Sequence, residues 1–218
     1  MKLNRRNLLA GAGSLAAGTA GSSLMQFAAI TSAHAQEVDM KKLMDPGPLG
    51  DMSLGPDDAK VTIIEYASAT CPHCARFHEG TFKELEEKYI NTGKVRFIFR
   101  ELPFDDLALA AFMLARCAPK DKYFPMLSVI FQQQAKWTAR EANPRDELFR
   151  IAQLAAFTKD SFNACLKNED VAKGILATRQ TGQDLGVNST PSFFVNGEKL
   201  TGNQSFADFE ALINKQMN

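Results

Sequence analysis

Cysteine is scarce in this 218-residue chain: there are four, with a single Cys-x-x-Cys spacing. Without a second such pair, a four-cysteine metal knuckle is excluded. Histidine is scarcer still, at three. No charge of one sign dominates, since basic and acidic residues number 25 each. With no polybasic stretch either, neither nucleic acid nor a membrane surface has an electrostatic footprint here. A long unbroken apolar run is also missing. The Ala/Gly/Leu-rich stretch from Leu8 to Ile30 is diluted below a good membrane span by Gly11, Gly13, Gly18, Gly21 and several Ser and Thr. There is no internal repeat. What is present is a chain 45% hydrophobic and 23% charged, enough for one substantial core with an elaboration.

The first 35 residues do not belong to that core. Arg5 and Arg6 open the chain and Ala33-His34-Ala35 closes the weakly apolar stretch, the layout of an export signal cleaved after Ala35. A membrane anchor is the competing reading. The string Asn4-Arg5-Arg6-Asn7-Leu8-Leu9 resembles a twin-arginine signal, while paired basic residues leave the general secretory route open. Cleavage would remove Lys2, Arg5 and Arg6 and leave 22 basic against 25 acidic residues, a formal charge of −3. Export would place the cysteines in a bacterial periplasm, where disulfides form and persist.

Residues 36–60 read as a Pro- and Gly-rich lead-in with at most one short strand, near Val38 to Leu43. Val61 to Tyr66 is a β-branched run suited to a buried strand. A helical stripe follows through Phe77, Phe82, Leu85 and Tyr89, then a second strand from Val95 to Arg100. Strand, helix, strand implies parallel pairing. From Asp105 to Gly186 strand signals vanish and five helices are expected: Leu107 to Cys117, Tyr123 to Lys136, Arg145 to Phe157, Ser161 to Leu166 and Val171 to Leu185. Gly186 suits a left-handed helix cap. Ser192 to Val195, Asn196-Gly197 and Glu198 to Leu200 form a hairpin signal, since both turn residues must take positive φ. Ser205 to Lys215 closes the chain as a helix.

The chemistry concentrates at Cys71-Pro72-His73-Cys74. Pro72 fits the first helical position, where no amide proton is needed, and so puts Cys71 at the N-cap. A thiolate there meets the free amides of the first turn and the positive end of the helix dipole, and His73 adds a donor or cation nearby. All three lower the Cys71 pKa and make it a good leaving group in thiol–disulfide exchange, with Cys74 as the partner that closes the ring. Two other readings stay open: a zinc half-site of Cys71, Cys74 and His78, and a plain structural disulfide. Cys117 and Cys165, in the helical region, are expected to form a structural disulfide rather than two unpaired thiols. Trp137 and the many Phe residues read as core rather than as a cofactor platform.

The Cys-Pro-His-Cys motif after a strand, the helical insert and Thr190-Pro191 before a strand together resemble the DsbA family of periplasmic disulfide oxidoreductases, over roughly Val61 to the C-terminus. The resemblance implies an α/β, thioredoxin-like fold with an inserted helical subdomain: residues 61–104 and 187–218 as the thioredoxin-like domain, 105–186 as the insert. It implies a cis peptide bond at Pro191, a substrate-binding loop at Thr190 and Pro191, and a buried acid near the redox pair at Glu65, able to relay protons from Cys74. From the residues alone, Glu65 could equally be a solvated strand-end acid. The implied function is oxidation of reduced, unfolded exported proteins by a monomer without cofactor or metal ion, with a membrane quinone-linked thiol oxidase restoring the disulfide. Isomerases and reductases share the motif and are the rivals, as is a non-catalytic peptide-binding chaperone. A glutathione-linked transferase is more distant, having no reason to keep Cys74.

Overall fold

Apolar runs build the centre of the molecule. The computed structural model describes residues 38–217; the export signal read over residues 1–35, with its break after Ala35, lies outside the described residues. Strands β1 (Met52–Leu54), β2 (Val61–Ala67), β3 (Val95–Glu101), β4 (Ser192–Val195) and β5 (Glu198–Thr201) form one sheet in the order β1-β3-β2-β4-β5. β2 and β3 run parallel, with Ile63 opposite Phe97 and Glu65 opposite Phe99. The other pairs are antiparallel. Strand parity sorts the side chains. Ile63, Ala67, Phe97, Phe99, Phe193 and Val195 enter the larger core, while Ile64, Tyr66, Ile98 and Phe194 enter a smaller one on the opposite face. Each fully buried aromatic contributes about 1.5–3 kcal/mol of burial energy.

Helix α2 (Pro72–Glu79) follows β2, and α3 (Thr81–Leu85) runs on into a π-helical turn at Glu86–Ile90. The single long helix expected here is broken at Gly80, whose φ of −117° and ψ of −96° leave the helical region. Between β3 and β4 come α4 (Asp106–Cys117), α5 (Tyr123–Gln132), α6 (Gln134–Trp137), α7 (Pro144–Gln153), α8 (Lys159–Leu166) and α9 (Glu169–Asp184). The stretch from Tyr123 to Lys136 is thus two helices, parted where Gln133 takes φ −98° and ψ 10°. α10 (Phe206–Met217) packs Phe209, Leu212 and Ile213 inward. Asn196 and Gly197 turn the β4–β5 hairpin at φ 46° and 90°, and Gly186 follows α9 at φ 77°. Among the described residues no helix is long and apolar enough to cross a membrane.

The lead-in departs from expectation. Instead of a strand, Met40–Leu43 forms a helical turn, α1, because the Asp39 carboxylate accepts from the Lys42 amide and caps it. The strand of this region is β1, further on. Buried Arg100 fastens the segment to the sheet, donating to Asp51 Oδ1 at 3.1 Å, to the Leu43 carbonyl at 2.8 Å and to Tyr66 Oη at 3.0 Å. Gly55 lies so close to β3 that a Cβ there would meet the Val95 carbonyl oxygen at 2.2 Å.

Candidate active site

Cys71 is the N-cap of α2 and Pro72 its first helical residue. The preceding loop is fixed from two sides. Gln134 of α6 donates from Nε2 to the Ala69 and Cys71 carbonyls at 2.7 and 3.0 Å. Thr70 Oγ1 donates to Asp105 Oδ2 at 2.8 Å, and the same carboxylate caps α4 through the Ala108 amide. The helical region therefore holds the redox loop in place. Gln134 was not foreseen from the sequence, because a polar side chain reaching 63 residues back in the chain leaves no local signal.

The two thiols are free and differ sharply. Cys71 is lowered to about 5, chiefly by the hydrogen bond from the Cys74 thiol; its own burial works in the other direction, and the backbone amides of Cys74 and His73 help. Cys71 Sγ lies 3.3 Å from the Thr190 carbonyl, to which it donates only when protonated, on the cis Thr190–Pro191 loop that faces it. The Thr190 hydroxyl, buried and with no partner of its own, is a donor available to a thiolate. Cys74 is pushed well above the ordinary thiol range, first by burial, then by its bond to Cys71 and by Glu65. The result is one sulfur held as a thiolate and one held as a thiol.

The backbone amide of His73 is among the groups that lower Cys71. Its ring stands on the exposed side of α2, where Nδ1 lies 2.7 Å from Arg76 Nη2. Glu65 is fully buried, which removes the solvated strand-end alternative. Burial raises its carboxyl, and His78 partly offsets that. Its Oε2 is 2.8 Å from His78 Nε2. His78 is thus joined to an acid on the inner side of the helix; among the described residues no group of His, Cys, Asp or Glu is arranged to hold a metal ion. Cys117 of α4 and Cys165 of α8 form a disulfide, with Cα atoms 6.1 Å apart. Trp137 is fully buried and donates to the Ile130 carbonyl at 2.8 Å.

A dithiol at the start of the helix after β2 faces the cis-proline loop that leads into the neighbouring β4, an arrangement suited to thiol–disulfide exchange on a thioredoxin-like fold. The family described as Thioredoxin matches residues 49–215. A Rickettsia bellii protein named a protein-disulfide oxidoreductase is 37% identical over 167 residues, covering 76% of this chain and 64% of that protein. A Bacillus cereus protein named disulfide bond formation protein D is 30% identical over 171 residues, covering 76% of this chain and 78% of its own length. Among solved structures, alpha-DsbA1 of Wolbachia pipientis is 33% identical with a TM-score of 0.72, covering 76% of this chain and 90% of that one. The chain belongs to the thioredoxin family, in its DsbA-like group. It spans less than two thirds of the length of the Rickettsia relative.

Proposed function

We propose that this chain is an exported dithiol oxidase that introduces disulfides into reduced, unfolded proteins of the periplasm. Cys71 is the sulfur attacked by substrate and Cys74 the one that leaves. The observation that carries the reading is the asymmetry of the two thiols, Cys71 lowered to about 5 and Cys74 raised well above its ordinary value. A stabilised Cys71 thiolate favours the reduced form, and that makes the Cys71–Cys74 disulfide a strong oxidant. In the same reading, Thr190 and Pro191 receive the extended substrate peptide beside Cys71, and Glu65 exchanges protons with Cys74. The chain works as a monomer, and a membrane quinone-linked thiol oxidase restores its disulfide.

The test is the redox equilibrium of the full chain in glutathione buffers, read by site-resolved alkylation so that Cys71 and Cys74 are scored apart from Cys117 and Cys165. A reduction potential well above the cytosolic glutathione poise of about −220 to −260 mV is expected. A value near thioredoxin's about −270 mV would overturn the oxidase reading in favour of a reductase. A pair that never exchanges would leave only a peptide-binding role.

A further inference from the structure

The buried pair of Glu65 and His78 is built unlike a structural ion pair. Glu65 Oε2 meets His78, but Oε1 is buried with no hydrogen-bond partner. A carboxyl kept only for stability would have both oxygens satisfied. His78 is itself buried, its ring stacked on Phe131 at 4.3 Å between centroids and tilted against Phe82 at 4.8 Å. Yet the ring also borders a cleft of about 580 Å³, walled by Leu54, Phe82, Glu86, Lys120, Asp121 and Phe124. Buried Cys74 lies within electrostatic reach of Glu65, so the order from inside to outside is Cys74, Glu65, His78, cleft.

We propose that His78 is a positioning residue that carries protons between Glu65 and water in this cleft, so that Cys74 gains or loses its proton without opening the redox site to solvent. The inference rests on the thiol–disulfide exchange reading of Cys71 and Cys74. When a substrate thiolate attacks Cys71, the Cys71–Cys74 bond breaks and Cys74 leaves with the electron pair. It takes a proton from the Glu65 carboxyl; His78 returns one to Glu65 through the 2.8 Å contact and collects another from the cleft. When a disulfide oxidant re-forms the Cys71–Cys74 bond, the proton travels outward along the same groups. Imidazole suits the task because one ring nitrogen can accept a proton while the other gives one up. The other titratable groups around the pair are Cys71 and Cys74 at the start of α2, Glu101 on β3 and Tyr123 on α5, with Glu86, Lys120 and Asp121 at the cleft.

The reduced chain mixed with the aromatic disulfide dithiobis(nitrobenzoate) separates the steps. Cys71 thiolate attacks first and expels one thionitrobenzoate. Cys74 must then lose its proton, attack Cys71 sulfur and expel the second. In stopped flow, His78→Ala is expected to leave the first release unchanged and slow the second by about a hundredfold, the scale of positioned proton transfer. Imidazole added to the opened cleft is expected to restore the second phase, while pyrazole, equal in shape but far less basic, is not. Should His78→Ala fail to fold, His78→Gln keeps a hydrogen bond to Glu65 without the proton exchange and must show the same selective slowing. An unchanged second phase, equal slowing of both phases, or equal rescue by both azoles would overturn the proposal. A wild-type chain that gives no first release would overturn the exchange reading itself.

Discussion

Two glutamates stand on the same face of neighbouring central strands, and both are fully buried. Glu65 on β2 pairs across to Phe99, and Glu101 on β3 pairs across to Ala67 two positions further on. Glu101 is saturated: Arg116 Nε and Nη2 donate to its two oxygens at 2.5 and 2.8 Å, and Tyr123 Oη adds a third bond at 2.6 Å. Glu65 has one bonded oxygen and one orphan. A buried carboxylate gripped by a forked guanidinium has its oxygens engaged and its orientation fixed. One with a single imidazole partner and a free oxygen is poised to take or give a proton. The same residue type in the same layer is thus fully tied down at one position and left with a free oxygen two positions away on the neighbouring strand.

The comparison breaks most visibly at Arg116. Replacing it in Arg116→Met would strand Glu101 as an uncompensated buried charge, and the expected loss is at the upper end of about 3–5 kcal/mol. Urea unfolding of the purified chain measures this. A loss below about 1 kcal/mol would mean that the fork of Arg116 does not hold Glu101 in place and that the two glutamates are alike after all.

A smaller effect sharpens the division. The disulfide of Cys117 and Cys165 closes a separation of 48 residues and begins one residue after Arg116. On the chain-entropy model, Cys117→Ala/Cys165→Ala lowers stability by about 4 kcal/mol, less if the unfolded chain stays compact. The Cys71 titration, followed by thiolate absorbance, is expected to keep its midpoint at about 5. A moved midpoint would show that the rigid half also tunes the reactive half.

The reactive cysteine was legible because its signals are local. Proline after the first cysteine fixes the helix start, Asn196-Gly197 fixes the hairpin, and Gly186 fixes the end of α9, each within three or four residues. Of the proton route, only the acid Glu65 was implied, by the family resemblance, and the step to His78 was not legible. It needs the parity of β2 to place Glu65 on the core face and the turn of α2 to bring His78 beside it, 13 residues away. In the sequence, His78 shows only a spacing that suits a metal ligand as well. The break at Gly80 was hidden for a related reason: the apolar stripe continues across it, so periodicity reads one helix where backbone angles make two. The α1 turn depended on one capping carboxylate, too short a signal against the apolar residues around it.

The finest test of the comparison is Glu65→Gln. Burial raises the Glu65 carboxyl in the folded chain above its unfolded value of about 4.3. Such a group supports the folded state fully below the unfolded value and loses that support as pH rises through the folded one. Wild type should therefore weaken relative to Glu65→Gln as pH climbs from about 4 toward neutrality. The difference is expected to be small, about 0.5–1.5 kcal/mol, because the glutamine keeps one hydrogen bond to His78 and leaves its other end unpaired as before. Urea midpoints at a series of pH values check the sign. A variant that instead loses stability with rising pH, relative to wild type, would mean that Glu65 is held charged by His78. Glu65 and Glu101 would then be two versions of one structural device, and the proton route would lose its inner station.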